Sequence, residues 1–317
     1  MSSVPNRARG MSAEERAERR RDTLRRRRRR RNASAVAVAI AAGALAAVAL
    51  LAPPGQRGAT HSVTQIDHRR VRRRVRDPRA STAAVPILMY HVIASAPAGA
   101  PFPGLYVPRA EFVAQMRSLA QAGYHAVTLD RVWNAWRGEA RLPPRPVVLS
   151  FDNGYRTQYT VARPVLQRFG WVGDENLQLI GLPPKQGGLG RPEVRALVAA
   201  GWELDTQGYS HADLIRLDAR QLQYQIAVAR REIRDLFHVN ASWFCYPSGH
   251  YNSSVIAAVK AAGYLGSTTV VPGWARPNDD PYRLPRLRVL GGTSPEALLA
   301  LIAATRETPS PPPAYPS

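Results

Sequence analysis

The chain has 317 residues, 45% of them hydrophobic, and a formal net charge of +21. That is enough for one large domain or two ordinary ones, and the charge by itself would point to nucleic acid. Its distribution excludes that reading for most of the chain. Residues 1–80 hold 21 Lys and Arg against 6 Asp and Glu, and the remainder holds 23 against 17. The basicity sits in arginine runs without interleaved aromatics, so no nucleic-acid partner is expected for the folded part. The single cysteine, Cys245, excludes an intrachain disulfide framework and a cysteine-rich zinc site. It is most simply a small buried apolar residue.

Residues 1–32 are polar and end in the arginine run 25–31, with no apolar face to bury. They predict a disordered basic tail. Residues 33–52 carry no charge and precede Pro53-Pro54-Gly55. As a helix they would span roughly 30 Å, the hydrocarbon thickness of a bilayer. The segment reads as a single-pass signal anchor. The arginine run holds its amino-terminal side in the cytoplasm and leaves the rest of the chain extracytoplasmic. A cleaved signal peptide and a soluble alanine-rich helix are the alternatives, although Pro53 after Ala52 is a poor cleavage context. Residues 53–83 form a basic linker whose arginine cluster could touch anionic headgroups or wall polymers, or simply be solvated.

Order begins near residue 84. The apolar stretch 85–91 predicts a strand ending in His91, and a Pro/Gly/Ala-rich loop follows over 94–104. A helix is expected over 108–123, with Phe112, Met116, Leu119 and Ala120 on one face. A strand over 125–129 and a short helix over 131–136 come next. Then Val147-Val148-Leu149-Ser150-Phe151 runs straight into Asp152-Asn153-Gly154. An apolar run of this length bounded by turn residues reads as a buried parallel strand. It places Asp152 and Asn153 at the carboxyl end of a central strand, where α/β folds keep their chemistry. Taken alone, Asp-Asn-Gly could equally be a turn that caps the next helix.

Beyond it, helices are expected over 157–169, 192–200, 217–237, 253–262 and 295–304. Strands are expected over 176–180, 203–207, 243–247, 266–270 and 287–290. A Gly/Pro-rich loop spans 181–190, and 305–317 is a Pro-rich disordered tail. Strand and helix alternate about seven times, the pattern of a parallel α/β barrel or a doubly wound sheet.

Three strand-end loops carry unusual polar residues: Asp152-Asn153, the segment from Gln207 to His211, and Tyr246-Pro247-Ser248-Gly249. With the opening Pro86-Ile87-Leu88-Met89-Tyr90-His91 and the closing Leu284-Pro285-Arg286-Leu287-Arg288-Val289, they resemble the polysaccharide deacetylase (NodB homology) family, a carbohydrate esterase family, over roughly residues 84–304. The ends look like its exported branch. The resemblance implies a deformed parallel (β/α) barrel of about seven strands. It also implies a divalent metal, often zinc, and removal of N-acetyl groups from amino sugars. In the family's first motif the first Asp is the general base, here Asp152. The second is a metal ligand, here Asn153. The second motif supplies two metal-binding histidines; here the first position is Gln207, followed by Gly208, and only His211 remains. Tyr246 and Pro247 would line the sugar site, with backbone near Tyr246 donating to the oxyanion. The family's late histidine, a general acid, has no counterpart, since no histidine follows His250.

These departures have chemical weight. Zinc takes imidazole, thiolate or carboxylate, and one imidazole with two amide oxygens is a poor set. Without metal the attacking water keeps a pKa near ~16 rather than ~7. Asp152, ordinarily near ~4, is then a feeble base unless burial raises it. Asn153 and Gln207 keep the shape of what they replace and can donate hydrogen bonds to an oxyanion, a hydroxyl or an acetamido group.

Two readings follow. One is an extracytoplasmic deacetylase-like hydrolase acting on amino-sugar polymers of the cell envelope. Asp152 is its base and His211 a residual ligand or acid, with Asn153, Gln207, Tyr246, Pro247 and His91 at the substrate. The other is a catalytically degenerate glycan-binding member of the same fold. His91 reads equally as a satisfied core histidine, and His125, His238 and His250 read as structural or surface residues.

Overall fold

A single strand runs through the middle of the molecule. In β3 (Pro146–Asn153) every residue is buried, because neighbours pair on both edges and both faces are covered. Its side chains alternate. Val147, Leu149 and Phe151 join the apolar layer beneath the helices, while Val148 faces a second cluster inside the sheet. The period of two puts Ser150 and Asp152 on that inner face as well. Phe151 stacks near Tyr90 at 5.7 Å and Trp202 at 5.1 Å. Burying such a ring stabilises the fold by about 1.5–3 kcal/mol.

The computed structural model describes residues 80–180 and 187–308, all within one unit spanning residues 72–317. The predicted basic tail, the 33–52 anchor, the linker up to residue 79, loop residues 181–186 and the tail from 309 onward lie outside the described residues. No described helix is long and apolar enough to cross a membrane.

In chain order the remaining strands are β1 (Val85–Tyr90), β2 (His125–Ala126), β4 (Asp174–Leu177), β5 (Glu203–Thr206), β6 (Trp243–Cys245), β7 (Gly266–Thr268), β8 (Trp274–Ala275) and β9 (Leu287–Arg288). The sheet order is β7-β6-β5-β4-β3-β1-β8, with β2 added to β3 and β9 to β1. All of these pairs are parallel except β1 with β8. The stretch 284–289 links the two sides of the sheet. Leu284 N–H donates to Ser267 O at 3.0 Å, Arg286 N–H to Val271 O at 2.9 Å, and Val289 N–H to Met89 O at 3.1 Å. That link curls the sheet into the deformed (β/α) barrel.

Helices α1 (Arg109–Gln121), α2 (Leu129–Trp136), α3 (Arg163–Gln167), α4 (Arg191–Ala199), α5 (Ala219–Gln223), α6 (Ala229–Phe237) and α7 (Ser253–Ala261) lie between strands in the chain, and α8 (Pro295–Ala304) follows β9. The predicted elements recur with shifted ends. The strand expected over 125–129 shrinks to two residues, because the Thr128 side chain accepts from Arg131 N–H and starts α2. Strand β4 begins earlier than expected, since Asp174 and Glu175 are buried despite their charge. The long helix starts at Ala219, where Asp218 makes a capping box with Gln221. It joins α5 to α6 through the π turn Tyr224–Val228. Strand β8 gave no sequence signal, being two residues in a Pro/Gly-rich stretch.

The amino-terminal end of the barrel holds a buried acidic group. Asp174 accepts from Leu129 N–H at 2.9 Å and Glu203 from Asp130 N–H at 2.9 Å, so two carboxylates dock the first turn of α2. Asp205 accepts from Ser242 N–H at 2.9 Å and Trp243 N–H at 2.8 Å. Burial first, and neighbouring carboxylates after it, push Asp174, Glu203 and Asp205 well above the ordinary carboxylate range. A folded pKa above the unfolded value means stability that is full at low pH and lost as pH rises through the folded value. Glu203→Gln should therefore raise Tm by roughly 2–4 °C at pH 8, about the shift for 1 kcal/mol in a domain this size. It should change little at pH 4. A thermal melt at both pH values checks this, and a loss of stability at pH 8 would contradict it.

Candidate active site

The parallel strands end on one side of the barrel, and a cleft of about 690 Å³ opens there. Asp152 lies at its floor, 1% exposed. Asp152 and Asn153 still pair with Asn176 and Leu177 of β4, and the chain leaves the sheet after Asn153. Asn153 takes φ 79°, a left-handed conformation that Asn tolerates. Gly154 follows at φ 88°, where an added Cβ would come within 2.6 Å of Leu177. Beyond it, the π turn Gln158–Ala162 that leads into α3 carries a buried glutamine. Gln158 Nε2 donates to the carbonyls of His91 at 2.9 Å and Asp152 at 2.8 Å, tying the ends of β1 and β3 together.

Both oxygens of Asp152 are committed. Arg286 clamps it with two parallel bonds, Nη1 to Oδ1 at 2.7 Å and Nη2 to Oδ2 at 2.9 Å. Asn176 Nδ2 donates to Oδ1 at 2.9 Å, and Cys245 Sγ lies 3.6 Å from Oδ2. Arg286 is itself fully buried, with further bonds to Thr269 O, Ser150 Oγ and Cys245 Sγ. Burial alone would raise the Asp152 pKa. The charge and hydrogen bonds of Arg286 reverse that and hold it at about 2. Asp152 is thus the feeble base expected without a burial-raised pKa, because the buried guanidinium outweighs burial. Cys245 is buried as expected, but it is more than apolar filling. Its thiol sits against the ion pair, and burial pushes its pKa up to about 12.

The other predicted residues gather at the same cleft, with one exception. His91 lines it, its Nε2 3.9 Å from Asp152 Oδ2, and burial pushes its pKa down to about 4. Its Nδ1 is buried without a partner. Asn153 lines the cleft too, but one amide N–H is engaged with Gln178 Oε1 at 3.1 Å. Gln207 is 3% exposed and its Oε1 has no partner. His211 lines the cleft at φ 55°, its pKa lowered by burial. Tyr246 lines it as well, yet its backbone N–H already donates to Thr268 O at 3.3 Å, and its hydroxyl donates to Tyr282 O at 2.9 Å. Pro247 does not line the cleft. Ser248 and Gly249 turn at φ 56° and 75°, so they reach it while Pro247 stays buried. His250 instead pairs with Asp213 at 3.0 Å, and His125 with Pro144 O at 2.9 Å.

Sequence reasoning missed Arg286, Asn176 and Gln158, and the wall formed by Phe102, Tyr106, Tyr155 and Arg288. One signal was present. Arg286 is a charged residue inside an otherwise strand-like stretch, an anomaly that demands a buried partner.

A zinc ion does not fit these residues as they stand. Asp152 is saturated by Arg286, Asn153 and Gln207 offer amides, and His211 is the one imidazole at the three motif positions. Among the described residues no three His, Cys, Asp or Glu are grouped to hold a metal.

The family model described as polysaccharide deacetylase matches residues 139–266, which include Asp152, Asn153, Gln207, His211 and Tyr246. YxkH of Bacillus subtilis (strain 168), classed by its name with the polysaccharide deacetylases, is 29% identical over 225 residues, 71% of this chain and 78% of that protein. Residues 139–266 are thus similar to the polysaccharide deacetylase family. A poly-beta-1,6-N-acetyl-D-glucosamine N-deacetylase of Staphylococcus aureus (strain MRSA252) is 22% identical over 204 residues, 58% of this chain and 67% of that one. The fold matches that of the Streptococcus pyogenes deacetylase PplD, solved with acetate. The TM-score is 0.64 at 24% identity, over 70% of this chain and 99% of that one.

Proposed function

We propose that this protein is a member of the polysaccharide deacetylase family, a deacetylase-like hydrolase acting outside the cytoplasm on N-acetylated amino-sugar polymers of the cell envelope. The observation that carries the proposal is Asp152, held immobile at the floor of an open cleft with His91, His211 and the amides of Asn153 and Gln207 around it. The staphylococcal relative, whose name specifies an N-acetylglucosamine polymer, supports the substrate class. The uncharged segment 33–52 behind an arginine run supports a membrane anchor with the barrel outside.

In this reading Asp152 takes the proton of a water that attacks the acetyl carbonyl. The Gln207 amide faces the carbonyl oxygen, and His211 relays the proton taken up by Asp152 to the departing amine. The exposed Phe102 and the half-buried Tyr106 and Tyr155 give the sugar rings an apolar wall. A carboxylate held at about 2 is a weak acceptor, so turnover should be slow.

A second reading, a glycan-binding member without turnover, is favoured by the same pairing of Asp152 with Arg286 and by the amide donors. Acetate release from tetra-N-acetylchitotetraose separates the two. The deacetylase reading expects release that Asp152→Asn lowers by about 10²–10⁴-fold. No release from folded protein that still binds the sugar would establish the binding reading. Release untouched by Asp152→Asn would place the chemistry elsewhere.

A further inference from the structure

Charge at the cleft is unbalanced in a way that deacetylation alone does not use. Asp152 is the only acidic residue among the described residues lining the cleft, and Arg288 the only Lys or Arg. The Asp152 carboxylate is already neutralised by Arg286 behind it, at 2.7 and 2.9 Å. Arg288 is exposed and has no hydrogen bond or ion pair among the described residues. Its place is set by the sheet. Strand β9 pairs with β1 so that Arg288 lies opposite Met89, two residues before His91. Close by on the same wall are Phe102, 68% exposed, and Leu290, 40% exposed. Deeper in, the Gln207 side chain, 3% exposed, leaves its Oε1 without a partner.

An apolar platform for a sugar face, an unspent amide at depth and an unpaired guanidinium at the rim make up a site with a surplus positive charge. We infer that the cleft selects an anionic amino-sugar polymer, with Arg288 pairing to a carboxylate on the sugar next to the N-acetylated one. The guanidinium fork matches a carboxylate with two parallel bonds, which an ammonium cannot reproduce. A neutral polymer leaves Arg288 without that pairing. The inference rests on the proposed function, since it names the substrate class of that same cleft.

The test is a calorimetric titration of the full chain with two probes: neutral tetra-N-acetylchitotetraose, and a hyaluronan tetrasaccharide that alternates N-acetylglucosamine with glucuronate. The wild type should bind the hyaluronan probe about 10-fold more tightly, the increment of one charged hydrogen-bonded pair. The margin should shrink between 50 and 300 mM salt, values chosen on the scale over which exposed charges are screened to roughly half their reach. Arg288→Gln should bring hyaluronan binding down about 10-fold, and Arg288→Lys should recover only part of it. Circular dichroism confirms that each variant is folded. Equal binding of the two probes, or a preference that survives Arg288→Gln, would overturn the inference while leaving the proposed function standing. Failure of both probes to bind folded protein would overturn that function and the inference with it.

Discussion

Arg286→Met should destabilise the barrel by about 3–5 kcal/mol at pH 7, the cost of stranding a buried charge. The argument is local. Arg286 supplies both short bonds to Asp152, and what remains, Asn176 and the Cys245 thiol, cannot neutralise a carboxylate in a site 1% exposed. Methionine keeps roughly the length of the side chain without its charge. The pH dependence should also change sign. In the wild type the Asp152 pKa is held at about 2, below its unfolded value. Its contribution is therefore present above the unfolded value and is lost as pH falls through about 2. In Arg286→Met only burial still acts strongly on the carboxyl and raises its pKa, so the variant should regain stability as the medium is acidified toward pH 4. Urea unfolding of both proteins at pH 7 and pH 4 measures this. A loss below about 1 kcal/mol at pH 7 would mean that the pair is no more than an exposed salt bridge in effect. The double variant Asp152→Leu with Arg286→Met should recover most of the loss, because the penalty comes from stranding one charge.

Asn153→Asp combined with Gln207→His should create a zinc site where the wild type has none of comparable strength, tightening zinc binding by at least about 100-fold. Residues 153, 207 and 211 line one cleft, so the changes would set a carboxylate and two imidazoles around it. The backbone permits the first change, since Asp tolerates φ near 79° about as well as Asn. Gln178 now accepts from Asn153, and turning its amide would let it donate to the new carboxylate instead. Arg288 opposes the gain, so adding Arg288→Gln should tighten zinc further. Equilibrium dialysis against zinc gives the stoichiometry. One zinc per chain in the double variant, lost again with His211→Ala, is the expected result. A wild type that binds zinc as tightly, or a double variant that binds none, would show that these three positions do not form the metal site the motifs imply.

Much of this protein could be read along the chain because burial is written locally. The run from Val147 to Phe151 reads as a strand covered on both faces and Gly154 as its end, although the strand carries on through Asp152 and Asn153. The alternation of strands with helices specified a parallel α/β fold for the same reason, while leaving barrel and doubly wound sheet both open. The donor chemistry was also intrinsic: an amide at 153 and at 207 is a weak zinc ligand in any fold. What depended on barrel closure could not be read. Arg286 is 134 residues from Asp152, and it meets that carboxylate only because the stretch 284–289 joins β7 to β1 in one register. That contact decides which way the Asp152 pKa moves, against the burial that local sequence predicts. The engagement of the Asn153 amide by Gln178, the spending of the Tyr246 N–H on Thr268, and the unpaired state of Arg288 are likewise facts about neighbours on other strands. Residue pattern determines which side chains are buried, because water is excluded one element at a time. Which charges then face each other is set by the pairing of distant strands, and here that pairing determines the chemistry of the site.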